Sequence, residues 1–279
     1  MKNAIYPCLW FDGNAKAAAD FYCSIFNNSK IVNDTPLVVS FEIEGKLIMG
    51  LNGGPMFKIN PSISLFVTCE TDNEIERLYA KLIEGGSAMM PLDEYAWSKK
   101  YAWVVDKFGM TWQLMLGEWP AGRPKILPCF LFVGNQYGRA QEAIRLYTTI
   151  FPNSKMHRLE IYEEGDAQPA GNLKFGDFNL QNELFGAMDG FGVNEFQFNE
   201  GVSLVVECDT QEEIDNYWKK LTEGGEESQC GWLKDKFGVS WQIVPTILSE
   251  LMSNPEKAPR VVEAFMKMKK FDIETLLRA

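Results

Sequence analysis

Two glutamines end two near-copies of one stretch. Trp103–Gln113 reads WVVDKFGMTWQ and Trp232–Gln242 reads WLKDKFGVSWQ, sharing Trp, Asp, Lys, Phe, Gly, Trp and Gln. A carboxamide offers two donors and an acceptor, which suits it to orienting a carbonyl or hydroxyl. It can equally bond the backbone of a neighbouring loop, and both readings stand for Gln113 and Gln242. Among the six cysteines, Cys230 has the surroundings nearest to an activating one, beside Gly231 and Trp232 and close to Lys234. A lowered thiol pKa needs a cation, a helix N-terminus or a metal at hand; a packed, inert thiol is the alternative. Asp106 and Asp235 occupy the Asp-Lys-Phe-Gly turns, where an aspartate bonds its own backbone, and are read as structural. The single histidine, His157, lies on an outer strand without a repeat partner and is read as exposed.

Each copy reads as strand, tight turn, strand, with glycine supplying the positive φ. Upstream of the first copy, Tyr6–Asp12 alternates as a strand with Tyr6, Cys8 and Trp10 on one face. Asn14 is placed to cap the helix that follows, about Ala15–Phe26. Val38–Ile43 and Lys46–Leu51 form a hairpin, and Asn52-Gly53-Gly54-Pro55 turns the chain. Ile63–Cys69 is a more continuous apolar strand. Asp72 is expected to cap a second helix ending at Gly85-Gly86, and Ser87 to about Lys100 reads as a loop. The first half is therefore strand, helix, three strands, twice over. The second half repeats it: LPCFLF (127–132) answers YPCLWF (6–11), and FNEGVSLVVECDT (198–210) answers INPSISLFVTCET (59–71). After Pro245 the repeat stops, and two helices are expected over Thr246–Met252 and about Glu256–Met268, covering their own domain.

The boundaries that follow are 1–118, a linker over 119–125, 126–245, and a helical tail over 246–279. A net charge of −11 without a long basic run disfavours nucleic acid and anionic membrane surfaces. No apolar run reaches membrane-spanning length, and Asp12 interrupts the N-terminus too early for a signal-peptide core, so cytoplasm is the expected location. Cys8 and Cys129, and Cys69 and Cys208, match by repeat position, so the cysteines are read as buried free thiols.

PCLWFDGNA (7–15), LNGGP (51–55), TQEEIDNYWKKL (210–221), EGGEESQCGWLKDKFGVSWQIVP (223–245) and MKMKKFDI (266–273) carry a resemblance to the vicinal oxygen chelate superfamily of glyoxalases, bleomycin-resistance proteins and extradiol dioxygenases. The nearer likeness is to its PhnB-like branch, labelled 3-demethylubiquinone-9 3-methyltransferase. The resemblance implies an α+β protein of two tandem glyoxalase-like domains. Each would be a pair of βαβββ modules forming a cupped mixed sheet with a small-molecule site, so that 1–120 and 125–245 superpose. A methyltransferase using S-adenosylmethionine would show a glycine-rich strand-to-helix loop with an acidic residue about 20 positions on, and none is visible.

The family's metal-ligand pattern falls on Tyr6 and Leu127, on about Ser62 and Gly201, and on Gln113 and Gln242. Two neutral amides make a poor site for zinc or iron, so neither metal nor cofactor is expected. By strand alternation Cys8 and Cys129 face the cups beside Trp10 and Leu131. Three functions fit: a metal-independent binder of a small, largely apolar or aromatic molecule, an enzyme on such a molecule, or closed cups that pair subunits as a homodimer. Because Glu226–Cys230 is short where Ser87–Lys100 is long, the second half is expected to carry the main site. That site would hold Cys230 and Gln242 as catalytic residues, with Cys129, Leu131 and Trp232 around the ligand. Cys8, Trp10 and Gln113 would line the lesser cup.

Overall fold

The computed structural model describes residues 5–118, 123–192 and 194–279. Four modules follow one another. The first has β1 (Ile5–Phe11), α1 (Ala15–Ile25), β2 (Ser29–Asp34), β3 (Val38–Ile43) and β4 (Lys46–Asn52). The second has β5 (Ile63–Cys69), α2 (Asp72–Leu82), β6 (Ser87–Tyr95), β7 (Ser98–Val105) and β8 (Thr111–Leu116). The third has β9 (Ile126–Phe132), α3 (Ala140–Ile150), β10 (Lys155–Ile161), β11 (Leu173–Leu180) and β12 (Glu183–Asp189). The fourth has β13 (Val202–Cys208), α4 (Gln211–Leu221), β14 (Glu226–Glu227), β15 (Trp232–Lys234) and β16 (Ser240–Pro245). Three helices close the chain: α5 (Ile247–Ser253), α6 (Ala258–Phe265) and α7 (Ile273–Arg278). The third of these was not foreseen. Of the expected linker, residues 119–122 lie outside the described residues.

The chain divides into two compact units, residues 7–202 and residues 1–6 with 203–279. The larger unit holds one complete eight-stranded sheet, in the order β10-β11-β12-β9-β5-β8-β7-β6, and the four strands β1-β4-β3-β2 of a second. The smaller unit holds the four strands β14-β15-β16-β13 of that second sheet, with the start of β1. The α+β class, the two eight-stranded sheets and the helical C-terminus are as expected. Which modules share a sheet is not. In the complete sheet β5 runs antiparallel to β9, with Ser64 opposite Cys129 and Phe66 opposite Leu127. Modules from the two sequence halves therefore build it together, and the expectation that 1–120 forms its own eight-stranded sheet is corrected. The physical reason is that β1 and β9 are near-copies, so both offer β5 the same apolar edge. Both β5 and β9 are buried along their whole length, as central strands must be.

Local chemistry accounts for most of the elements. The turn between β7 and β8 is drawn together by Asp106, whose carboxylate accepts from the Phe108 and Met110 N–H groups at 2.8 and 3.1 Å. The same carboxylate accepts from the Tyr22 hydroxyl and the Trp112 indole, each at 2.8 Å. Asp235 repeats the pattern with Phe237, Val239 and Trp241 at 2.8, 3.1 and 2.9 Å. Gly109 and Gly238 both sit at φ +87° as the turns require.

Helix starts differ from expectation. The Asn14 side chain makes no cap bond; Asn52, at the end of β4, accepts from Ala15 N–H instead, at 3.0 Å. Thr71, not Asp72, caps α2 by accepting from Glu74 N–H. Residues 87–100, read as a loop, form the β6–β7 hairpin. Its register slips between Met90 and Asp93, on either side of Pro91, which has no N–H to give to a ladder.

Candidate functional site

The complete sheet has one face turned to helices and another that carries the candidate site. Trp112 marks the helix side, its ring 5.1 Å from those of Tyr22 and Phe26. Gln113, the next residue on β8, points the other way. Directly paired residues share a face, so one row crosses five strands: Leu127, Phe66, Gln113, Trp103 and Met90. A second row runs through Asp177, Gly186, Cys129 and Ser64. Phe66, Tyr101, Leu127, Cys129 and Leu184 form a buried floor. Met90, Tyr95, Trp103, Met115, Phe175 and Met188 pack on it and are only partly buried. Gly186 is needed here, since a Cβ at that position would come within 2.8 Å of Leu127 and 3.1 Å of the Cys129 sulfur.

The polar part of this face is a short chain. The Tyr101 hydroxyl donates to Gln113 Oε1 at 2.6 Å, and Gln113 Nε2 donates to Ser64 Oγ at 2.7 Å. All three residues are buried. Burial drives the Tyr101 phenol and the Cys129 thiol well above their ordinary pKa values, so both are neutral. At the far end Asp177 is buried and neutralised by Arg123 at 2.7 Å. Three polar atoms on this face are buried without a partner among the described residues, the Trp103 indole nitrogen and the Thr68 and Thr111 hydroxyls.

The expected site residues are scattered by the exchange of modules. Cys129 and Leu131 lie on β9, in the same sheet as Gln113. Gln242 lies on β16, its Nε2 donating to Ser203 Oγ at 2.9 Å, and Trp232 stands opposite it on β15. The grouping of Cys129 with Cys230 and Gln242 is thus corrected: Cys129 accompanies Gln113. Nor does Cys230 join Gln242. It sits just before β15 at φ +57°, its backbone N–H bonded to Met268 O at 2.8 Å. Its sulfur lies 3.7 Å from both Phe265 O and Met266 Sδ. Burial raises the thiol's pKa, with no cation to oppose it, the reverse of an activated nucleophile. Cys8 is buried on β1. Trp10 is held by its indole N–H on Gly54 O at 2.7 Å and packs edge-on against Phe57.

The serine partners were missed. The family pattern pointed to about Ser62 and Gly201, but the glutamines bond Ser64 and Ser203, two residues further along each strand. The signal was present, since Ser64 and Ser203 occupy matching places in ISLFVTC and VSLVVEC. A divalent ion does not fit the donors around Gln113. They are a phenol, an amide and a hydroxyl, and the amide oxygen already accepts from Tyr101. Among the described residues no group of three or more His, Cys, Asp or Glu side chains is placed to hold a metal. No helix among them is long and apolar enough to cross a membrane.

Glyoxalase I from Zea mays shares the fold, with a TM-score of 0.59 at 11% identity over 91% of this chain and 97% of that one. A putative 3-demethylubiquinone-9 3-methyltransferase, the PhnB protein from Bacillus cereus, is 36% identical over 40% of this chain and 98% of its own, with a TM-score of 0.38. Protein PA1353 from Pseudomonas aeruginosa is 23% identical over 39% of this chain and 93% of its own, with a TM-score of 0.35. No curated protein matches the sequence. The family described as 3-demethylubiquinone-9 3-methyltransferase matches residues 3–115 and again 124–244. With both halves matched, the chain belongs to that family.

Proposed function

We propose that the chain binds a small, largely apolar or aromatic molecule on the open face of the complete sheet, without a metal. The observation that carries this reading is the make-up of that face. Three methionines and three aromatic rings, all partly exposed, stand on a buried apolar floor, and a neutral Tyr101–Gln113–Ser64 chain lies within it. Methionine-rich walls adapt to a guest's shape, and a mostly apolar recess with a few convergent polar groups is the usual make-up of a small-molecule site.

The family's description names a methyl transfer, and the turns that open the helices do not favour it. The α1 turn is closed by Asn52. The α3 turn is closed by Asp189, which accepts from Gly138 and Ala140 N–H at 2.9 and 3.2 Å. Their backbone donors are thus taken by the chain's own side chains. The capped thiol of Cys230 likewise favours binding over catalysis.

Titration with 2-ethylnaphthalene, followed by tryptophan fluorescence and thermal shift, tests the proposal. Saturable one-to-one binding is expected, unchanged by EDTA and lost in Met188→Trp, which crowds that face. Binding that appears only with added divalent metal, or no saturable binding, overturns it.

A further inference from the structure

Four indole N–H groups of this chain have partners among the described residues. Trp10 donates to Gly54 O at 2.7 Å, Trp112 to Asp106 at 2.8 Å, Trp218 to Glu227 at 2.8 Å and Trp241 to Asp235 at 2.9 Å. Trp103 departs from this pattern, its indole nitrogen buried with no partner among the described residues. It stands between Gln113 on β8 and Met90 on β6, in the middle of the face proposed to bind. Gln113 does not serve it: the amide oxygen accepts from Tyr101 and not from the indole, and the nitrogen is itself a donor. The unpartnered Thr68 and Thr111 hydroxyls are less informative, for a hydroxyl can donate or accept. An indole N–H can only donate, so what is missing at Trp103 is an acceptor.

We infer that the molecule held on this face carries an uncharged hydrogen-bond acceptor, a carbonyl or ether oxygen, that receives the Trp103 indole N–H. The inference rests on the binding reading above and gives that guest its chemistry. An anion is disfavoured, since Arg158, the cation that lies over the Phe175 ring at 5.0 Å, is paired with Glu160 at 3.3 Å. The nearby Arg123 is already paired with Asp177. A purely apolar guest would leave the donor buried and unmet, and a guest presenting only donors would meet a donor with a donor.

Two probes of nearly equal shape separate the cases. 2-Acetylnaphthalene carries a carbonyl where 2-ethylnaphthalene carries a methylene. The wild-type protein is expected to bind the acetyl compound about tenfold more tightly. In Trp103→Phe, which keeps a ring and removes the donor, the two should bind within about twofold of each other. In 15N-labelled wild-type protein the Trp103 indole cross-peak, identified by its loss in Trp103→Phe, should move downfield with the acetyl compound and not with the ethyl one. That measurement decides the matter even if Trp103→Phe fails to fold. Equal binding of both probes to the wild type, or an unmoved indole peak, overturns the inference and leaves the binding proposal standing. Discrimination that persists in Trp103→Phe also overturns it, because the carbonyl is then received elsewhere. If neither probe binds, the binding proposal falls and the inference with it.

Discussion

Gln113 and Gln242 end the same repeated hairpin and donate to matching serines, yet only one of them is fully engaged. Gln113 accepts from Tyr101 at 2.6 Å as well as donating to Ser64. Gln242 donates to Ser203 at 2.9 Å, and its carbonyl oxygen has no partner among the described residues. The difference traces to one position. Where Tyr101 continues β7, Cys230 stands before β15 has begun, in a left-handed conformation with its thiol on the tail. Near-copies of one local sequence thus yield a closed polar chain in one sheet and a half-open one in the other, because the residue two strand positions away decides it.

The largest expected consequence is in stability. Gln113→Leu strands both the Tyr101 hydroxyl and Ser64 in a buried setting, at a cost of about 2–4 kcal/mol. Gln242→Leu strands only Ser203, at about 1–2 kcal/mol. Urea unfolding of the two variants side by side measures the gap, and equal losses would erase the contrast. Tyr101→Phe sharpens it by making Gln113 resemble Gln242, with an expected loss of about 1–1.5 kcal/mol. Were that loss also seen in Tyr101→Phe/Gln113→Leu beyond the single Gln113→Leu change, the hydroxyl would be acting apart from the amide.

An alkaline titration probes the same face. The Cys129 thiol and Tyr101 phenol are raised by burial above ordinary values of 9.0 and 10.0. The unfolded chain therefore releases these protons first, so stability is full below about pH 9 and falls as pH rises further. Each group adds a slope of about 1.4 kcal/mol per pH unit. Thermal unfolding between pH 7 and 11 should show the decline, shallower in Cys129→Ala; a flat profile would mean that the face is wet. The smallest effect is in thiol labelling at pH 8. Cys23 and Cys230, the half-buried pair, should react slowly, and Cys8, Cys69, Cys129 and Cys208 hardly at all. Fast labelling of Cys230 would revive its reading as a nucleophile.

Much of this was written in the sequence at short range. The doubled hairpin, its aspartates and its glycines depend on residues within a few positions of one another, and they fold as their types dictate. The Tyr101–Gln113 bond was within reach too, because the hairpin register that sets Trp103 against Gln113 brings Tyr101 alongside. What the sequence hid depends on partners chosen among near-equals. YPCLWF and LPCFLF present β5 with almost the same edge, and no local preference says which will take it. The Asn52 and Asp189 contacts to helix starts span 37 and about 50 residues, beyond any capping pattern. The unmet Trp103 donor is visible only once every neighbour has been placed.

The division of the chain also has a consequence in time. Residues 1–6 belong with 203–279, and the Tyr6 hydroxyl donates to Glu207 at 2.9 Å. On the ribosome those first residues emerge long before residues 203–279 exist. At about 5–20 residues per second that wait is roughly 10–40 s. Residues 7–202, whose complete sheet needs nothing made later, can assemble meanwhile. The beginning of the chain is thus held in reserve until the end arrives, and synthesis itself sets the order in which the two units mature.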